Sequence, residues 1–266
     1  MIKMKKLTKV LAVVLAAVFV FGCFAACSNS GKSDTDSDLA YIQNKGKLVV
    51  GITDFAPMDY KDENGEWIGF DADLGRLFAK ELGVDIEFLV IDWDNKVQEL
   101  KDKGIDCAWN GMTITDEVKL NMSVSNAYAT NQQVVIMKAD KIADIKSAED
   151  LKGLKIAVEN GSAGQGVAND LELDSIALSD QAAALLEVNA GKSDAAIIDS
   201  TMASAMTGEG TDYANLAAGL QLVDEEYGIG FRKESDLTEK MNEFLAKAKA
   251  DGTLQKLADQ YKVTIA

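Results

Sequence analysis

Two short segments hold the residues best suited to gripping a small charged solute. Gly161-Ser162-Ala163-Gly164 reads as the opening turn of a helix, where main-chain N–H groups without helical partners attract an anion. Asp199 closes the apolar run Ala195-Ala196-Ile197-Ile198, so its carboxylate stands at a strand end, suited to a charge-assisted bond with an ammonium. Each has a plainer reading. A Gly-rich turn can simply start a helix, and Asp199 can simply cap the helix after its strand. Phe55 and Trp93 are flat aromatic walls of the kind that suit cations and rings, unless both are core, and Asp54 beside Phe55 offers a second acid. Trp93 lies between Asp92 and Asp94, polar flanks that place it at a strand end near solvent.

Covalent chemistry has few candidates. The chain has no histidine, which removes most zinc sites, Ser-His-Asp triads and most general-base chemistry at neutral pH. Glu159 or Asp199 could donate a proton, but no metal or cofactor motif accompanies them, and no cofactor or metal is expected. Of three cysteines only Cys107 lies in the body, where no internal disulfide is open to it; Ile105-Asp106-Cys107-Ala108-Trp109 reads as a buried strand with a packed thiol. The net charge of −16 repels nucleic acid, so none is expected as a partner.

The elements that must position these residues alternate between β and α, the mark of an α/β fold. Lys47–Ile52 is a strand, and Leu74, Leu77, Phe78 and Leu82 fall on one helical face. Ile86, Phe88 and Val90 alternate as a strand, Asp94–Lys103 is a short helix and Asp106–Trp109 a third strand. After the apolar run Val134–Met137, Ser147 begins a capping-box-like helix start, and a second series follows: a strand at Lys155–Val158, the helix opened at Gly161, a helix capped by Ser179, and a strand at Ala195–Ile198. Tyr227–Phe231 is a strand-like return, and Ser235 and Thr253 cap two final helices. Gly104–Trp109 and Gly191–Ile197 repeat one pattern of Gly turn, Asp and buried strand, which suggests two similar lobes. Ligands bind open α/β sheets at the carboxyl ends of strands, so two facing sheets make one cleft.

The N-terminus reads as a secretory leader. Lys3, Lys5, Lys6 and Lys9 precede an apolar run from Val10 to Phe21, too short for a comfortable membrane span. Phe24-Ala25-Ala26-Cys27 resembles the lipobox of bacterial lipoproteins, which makes Cys27 the lipidated residue; Val20-Phe21-Gly22-Cys23 is a weaker match. A Ser/Asp-rich tether over 27–44 then joins a body that works beside a membrane, on the outer face of the cytoplasmic membrane.

Within the body, Gly65-Glu66-Trp67-Ile68-Gly69-Phe70-Asp71-Ala72-Asp73-Leu74 and Gly111-Met112-Thr113-Ile114-Thr115-Asp116-Glu117 resemble signature segments of the amino-acid-type extracellular solute-binding proteins of ATP-binding cassette importers. Leu151-Lys152-Gly153 through Gly161-Ser162, Tyr227–Lys233 and Lys249–Leu254 are similar to further family segments, in family order. Trp109-Asn110-Gly111 and Phe55–Tyr60 look most like members from Gram-positive anaerobes.

The resemblance implies an α/β, two-lobe type II periplasmic-binding-protein fold with the ligand cleft between lobes. Lobe 1 would comprise 45–133 and 227–266, lobe 2 would comprise 134–226, and the hinges would lie near 134–137 and 227–231. It implies a monomer that captures an amino acid or related amine by hinged closure and hands it to a permease. Asp199 would hold the ammonium, Ser162 and Ala163 the anion, and Asn110, Gly111, Met112 and Thr113 would line the first lobe, with Phe55 and Trp93 flanking the ligand side chain.

Two departures bear on the ligand. A hydroxyl is usual where Ala163 stands, and an arginine that forks onto the ligand carboxylate is usual where Val118 stands. Lys119 cannot replace it, being turned about 100° around the helix. Loss of a buried Arg–carboxylate pair costs about 2–5 kcal/mol. Either the chain binds an amino acid weakly through main-chain amides alone, or its ligand has no carboxylate at that spot; with Asp199, Phe55 and Trp93 retained, the reading adopted is a cationic or amine-bearing ligand. Two other readings stand beside transport: a binding lipoprotein that reports to a membrane receptor, and a cofactor-free enzyme on the same fold.

Overall fold

The computed structural model describes residues 37–266; the leader, Cys27 and most of the expected tether lie outside the described residues. The tether expected to reach residue 44 gives way sooner to a helix, α1 (Asp38–Lys45), N-capped by Ser37. Strand β1 (Lys47–Ile52) follows, then a hairpin of β2 (Tyr60–Lys61) and β3 (Trp67–Ile68), helix α2 (Phe70–Leu82) and β4 (Asp85–Val90). A 3-10 turn at Trp93–Asn95 runs into α3 (Lys96–Lys101), followed by β5 (Cys107–Thr113), α4 (Asp116–Asn121), β6 (Ser123–Val124) and β7 (Ala129–Lys138). The second series is β8 (Lys155–Glu159), α5 (Ala163–Asp170), β9 (Asp174–Leu178), α6 (Gln181–Asn189), β10 (Ala195–Asp199) and α7 (Ser200–Met206). The long β11 (Leu216–Phe231), α8 (Leu237–Ala250), α9 (Thr253–Tyr261) and β12 (Thr264–Ile265) end the chain.

The strands join in the order β4-β1-β5-β11-β7-β10-β8-β9. In the first half β1 lies parallel between β4 and β5; in the second, β8 lies parallel between β10 and β9. Antiparallel β7 and β11 join the halves. Tyr227–Phe231 of β11 pairs with β5, whereas Leu216–Tyr227 pairs with β7. Residues 133–136 of β7 pair with β10 inside the second half, and residues 129–133 pair with 223–227 of β11.

Most expected elements stand where the apolar pattern put them. On α2, Phe70, Leu74 and Phe78 are buried; Leu77 is exposed, because a three-residue step lags about 60° behind a full turn and leaves the stripe. Cys107 is fully buried, and burial pushes its thiol well up. The Ser147 capping box forms on a short 3-10 turn. Some caps move by one residue. Asp180, not Ser179, caps α6, its carboxylate accepting from Ala183 N at 2.7 Å, and α8 and α9 begin after Asp236 and Gly252 rather than at Ser235 and Thr253.

Candidate functional site

The carboxyl ends of both parallel sets face each other. Thr53 and Asp54 follow β1, Asn110 lies in β5, and Trp93 and Asp94 follow β4; opposite them are Glu159 of β8, the Gly161-Ser162 turn, Asp180 and Asp199. The halves are in contact. Lys96 Nζ, on α3, donates to Trp93 O at 3.1 Å and, across the divide, to Gly161 O at 2.9 Å. Gly161 has φ +71°, and a Cβ there would lie 2.5 Å from Asp94 Cα. Only a residue without a side chain lets the two main chains approach this closely.

Asp199 is buried beneath this contact. It occupies the N-cap position of α7 but makes no capping bond. Asn131 caps instead: its Oδ1 accepts from Thr201 N at 3.1 Å, Thr201 Oγ1 at 2.9 Å and Ser200 Oγ at 3.0 Å. The Asp199 carboxylate turns inward and accepts from Asn131 Nδ2, Gln133 Nε2 (2.9 Å), Gln181 Nε2 and Tyr227 OH (2.9 Å). Asn131 and Gln133 also donate to Glu225. Burial first, and then the nearby Glu225 charge, push the Asp199 carboxyl well above the usual range. The strand-end acid is thus tied to both segments that pass between the halves.

The expected aromatic and anion residues divide into two groups. Trp93 is 6% exposed and lies in a 3-10 turn rather than at a wet strand end; it packs with Val118, Met112, Met122 and Ile91, so its acidic neighbours turn outward while the ring turns in. Phe55 is fully packed, edge-on to Tyr227 at 6.4 Å between centroids. Gly111 does not offer its N–H to the cleft, because Asp71 Oδ2 takes it at 2.7 Å. Thr113 pairs with Tyr227 along β5. In the Gly-Ser turn, Gly161 N donates to Gln165 Oε1 at 2.8 Å and Ser162 N to Glu159 O at 3.3 Å, while Ser162 Oγ caps α5. Those two amides are spent inside the chain; Ala163 is the first residue of α5.

A cavity of about 1040 Å3 opens between the halves, lined by Thr53, Asp54 and Asp92 on one side and Asn160, Ser179 and Asp180 on the other. Lys61 is the cation on its wall. Burial, then the Asp180 charge, raises Asp54, while Lys61 acts in the opposite sense.

Several residues that build this site escape sequence reasoning. Lys96 reads as one more lysine on an amphipathic helix, yet it is buried with its ammonium 5.0 Å from the Trp93 ring centroid. Burial lowers its pKa; Glu159, Asp94, Glu117 and Asp92 act to raise it. Gln181 shows as a helix start, and Asn131 and Gln133 as polar positions in a strand.

Residues 48–264 match the bacterial extracellular solute-binding proteins, family 3. The chain is 31% identical to the arginine-binding extracellular protein ArtP of Bacillus subtilis, over 95% of this chain and 97% of that protein. Among solved structures, a mutant of ArgBP from T. maritima superposes with a TM-score of 0.79 at 32% identity, covering 84% of this chain and 98% of that one. The ancestral amino acid-binding protein AncCDT-1, described as a precursor of cyclohexadienyl dehydratase, superposes at 0.77 with 34% identity, covering 85% and 99%.

Proposed function

The chain belongs to the bacterial extracellular solute-binding proteins, family 3, and we propose that it captures a cationic amino acid outside the cytoplasm and passes it to the permease of an ATP-binding cassette importer. The observation that carries this reading is the charge of the cleft. Asp54, Asp92 and Asp180 line its wall against Lys61, with Glu159 and Asp199 buried behind. A cation entering there meets carboxylates from both halves. The relatives that bind arginine point the same way. Residues 45–133 with 227–266, and 134–226, act as lobes that part about β7 and β11. Asp199 takes the ligand ammonium, the Lys96 ammonium faces the ligand carboxylate in place of an arginine at Val118, and Phe55 and Trp93 form the wall behind.

Val118 favours a second reading, an amine with no carboxylate to hold. Calorimetry with arginine and with agmatine, its decarboxylated amine, separates the two. The expected result is arginine binding at least about tenfold tighter, the worth of one charge-assisted contact. Tighter agmatine binding would establish the amine; no heat from either, nor from a wider panel of amino acids and amines, would end the solute-binding proposal.

Lipidation at Cys27 would hold the protein beside its permease. Cys27→Ser is expected to release it from the membrane fraction into the medium or periplasm, read by fractionation and immunoblot. Unchanged retention would transfer the anchor to Cys23 or to an uncleaved leader.

A further inference from the structure

One buried acid in the cleft lacks a partner for an oxygen. Glu159, the last residue of β8, is 3% exposed, and among the described residues its Oε1 has no hydrogen-bond partner. A buried carboxylate oxygen without a donor is costly, and native chains leave one where something else supplies the donor. Lys96 acts on Glu159 but does not supply it. Lys96 directs its ammonium to the carbonyls of Trp93 and Gly161, and Lys61 stays at the cavity wall.

A second observation concerns the charges around it. Asp180, the cap of α6 in the second half, acts electrostatically on Glu159 and also, across the cleft, on Asp54 at the end of β1. Asp54 and Asp180 line the same cavity, which spans the divide, and Glu159 directly precedes Asn160 of its wall. Bringing the halves together therefore presses the Asp54 and Asp180 charges toward one another and holds Glu159 back from ionising, a cost that a cation between them removes.

We propose that Glu159 is a specificity-determining residue that receives the cationic end of the ligand side chain, with Asp54 and Asp180 flanking it at the mouth, so that closure is favoured when a positive group fills the gap. This rests on the solute-binding reading and deepens it: the ligand carries a guanidinium or ammonium on its side chain, separate from the α-ammonium assigned to Asp199.

The state of the empty site supplies a direct readout. Burial, chiefly, pushes Glu159 up to about 8; Asp180 adds to the rise, while Thr53, Lys96 and Gln181 work against it. At pH 7 the carboxyl is mostly protonated in the empty site. An arriving cation favours the charged form, so a proton leaves as the ligand binds.

Two pairs test the assignment by calorimetry, each titrated at pH 7 in buffers of different ionisation enthalpy: arginine with its neutral isostere citrulline, and lysine with norleucine, which lacks the terminal ammonium. The wild type is expected to prefer the charged member of a pair by at least about tenfold and to release about one proton more on binding it than on binding the neutral member. Glu159→Gln keeps the shape. It should weaken the charged member by at least about tenfold, change the neutral one by less than about threefold, and remove the extra proton that the charged member releases over the neutral one. Glu159→Asp, which keeps the charge but retracts it by one methylene, should fall between, and it replaces the glutamine variant should that fail to fold. An unchanged charged-to-neutral ratio with unchanged proton release in a folded variant overturns the assignment. Wild-type binding without charge preference overturns it as well and leaves solute binding standing. Absence of binding across both pairs and a full amino-acid panel removes the solute-binding reading, and this one with it.

Discussion

Gly161→Ala should deprive the protein of its closed state. The added methyl would sit 2.5 Å from Asp94 Cα and 2.9 Å from Asp94 N, main-chain atoms that no rotamer change can move. The φ of +71° adds about 1–2 kcal/mol of strain for any L side chain. The strain alone would lower stability modestly. The clash is relieved when the two halves separate, which also breaks the bond from Lys96 to Gly161 O. The expected result is a ligand affinity reduced by about a hundredfold or more, equivalent to about 2.7 kcal/mol. Alongside it, small-angle scattering should show a radius of gyration that no longer contracts when ligand saturates. Normal contraction and affinity in the alanine variant would mean that closure does not need this contact.

The second large effect is expected at Asp199. Replacement by alanine leaves the amides of Asn131, Gln133 and Gln181 and the Tyr227 hydroxyl without their shared acceptor. Each buried donor so abandoned costs about 1–3 kcal/mol unless water or Glu225 reaches it. Asp199→Ala should therefore lower the melting temperature by several degrees and ligand affinity by at least about tenfold. Asp199→Asn keeps the volume and separates the two effects: as the ammonium site, Asp199 predicts that the asparagine variant still loses the tenfold. Both variants binding as well as wild type would reduce Asp199 to an organiser of the passage between halves. The pH profile gives a further check. Because folding raises this carboxyl, the folded protein holds its proton more tightly than the unfolded chain does. That stabilisation is complete below the ordinary carboxylate range and disappears as pH climbs through the raised value. The alanine variant should lack this part of the slope.

The sequence showed the scaffold more readily than the site. Val49, Val50 and Ile52 of β1, or Ala196 to Ile198 of β10, are apolar runs that burial alone explains, and Ser162 caps α5 through a purely local bond. The long β11 was legible only at its end. Tyr227–Phe231 is apolar because it is buried, but Leu216–Glu226 mixes exposed acids with Gly219 and is held as strand by pairing with β7, a non-local partner. The same non-locality hid the surroundings of Asp199, whose donors come from 18, 28, 66 and 68 positions away. Glu159 is plain as a residue type, yet its unmet oxygen exists only once β8 is buried between β9 and β10. Trp93 misled because acidic flanks signal an exposed backbone turn without saying which way the ring points.

Helix α1 is fastened where it stands. Ser37 Oγ donates to Asp236 at 2.5 Å, and Arg232 Nε donates to Asp38 at 2.8 Å while its Nη1 reaches Ile105 O at 2.8 Å. Lys45 and Arg232 both meet the buried Asp106. Every one of these partners belongs to the half built around β1 and β5. Were the chain anchored ahead of Ser37 as proposed, the pull would reach that half alone, and in hinged closure it would be the half carrying Glu159 and Asp199 that swings.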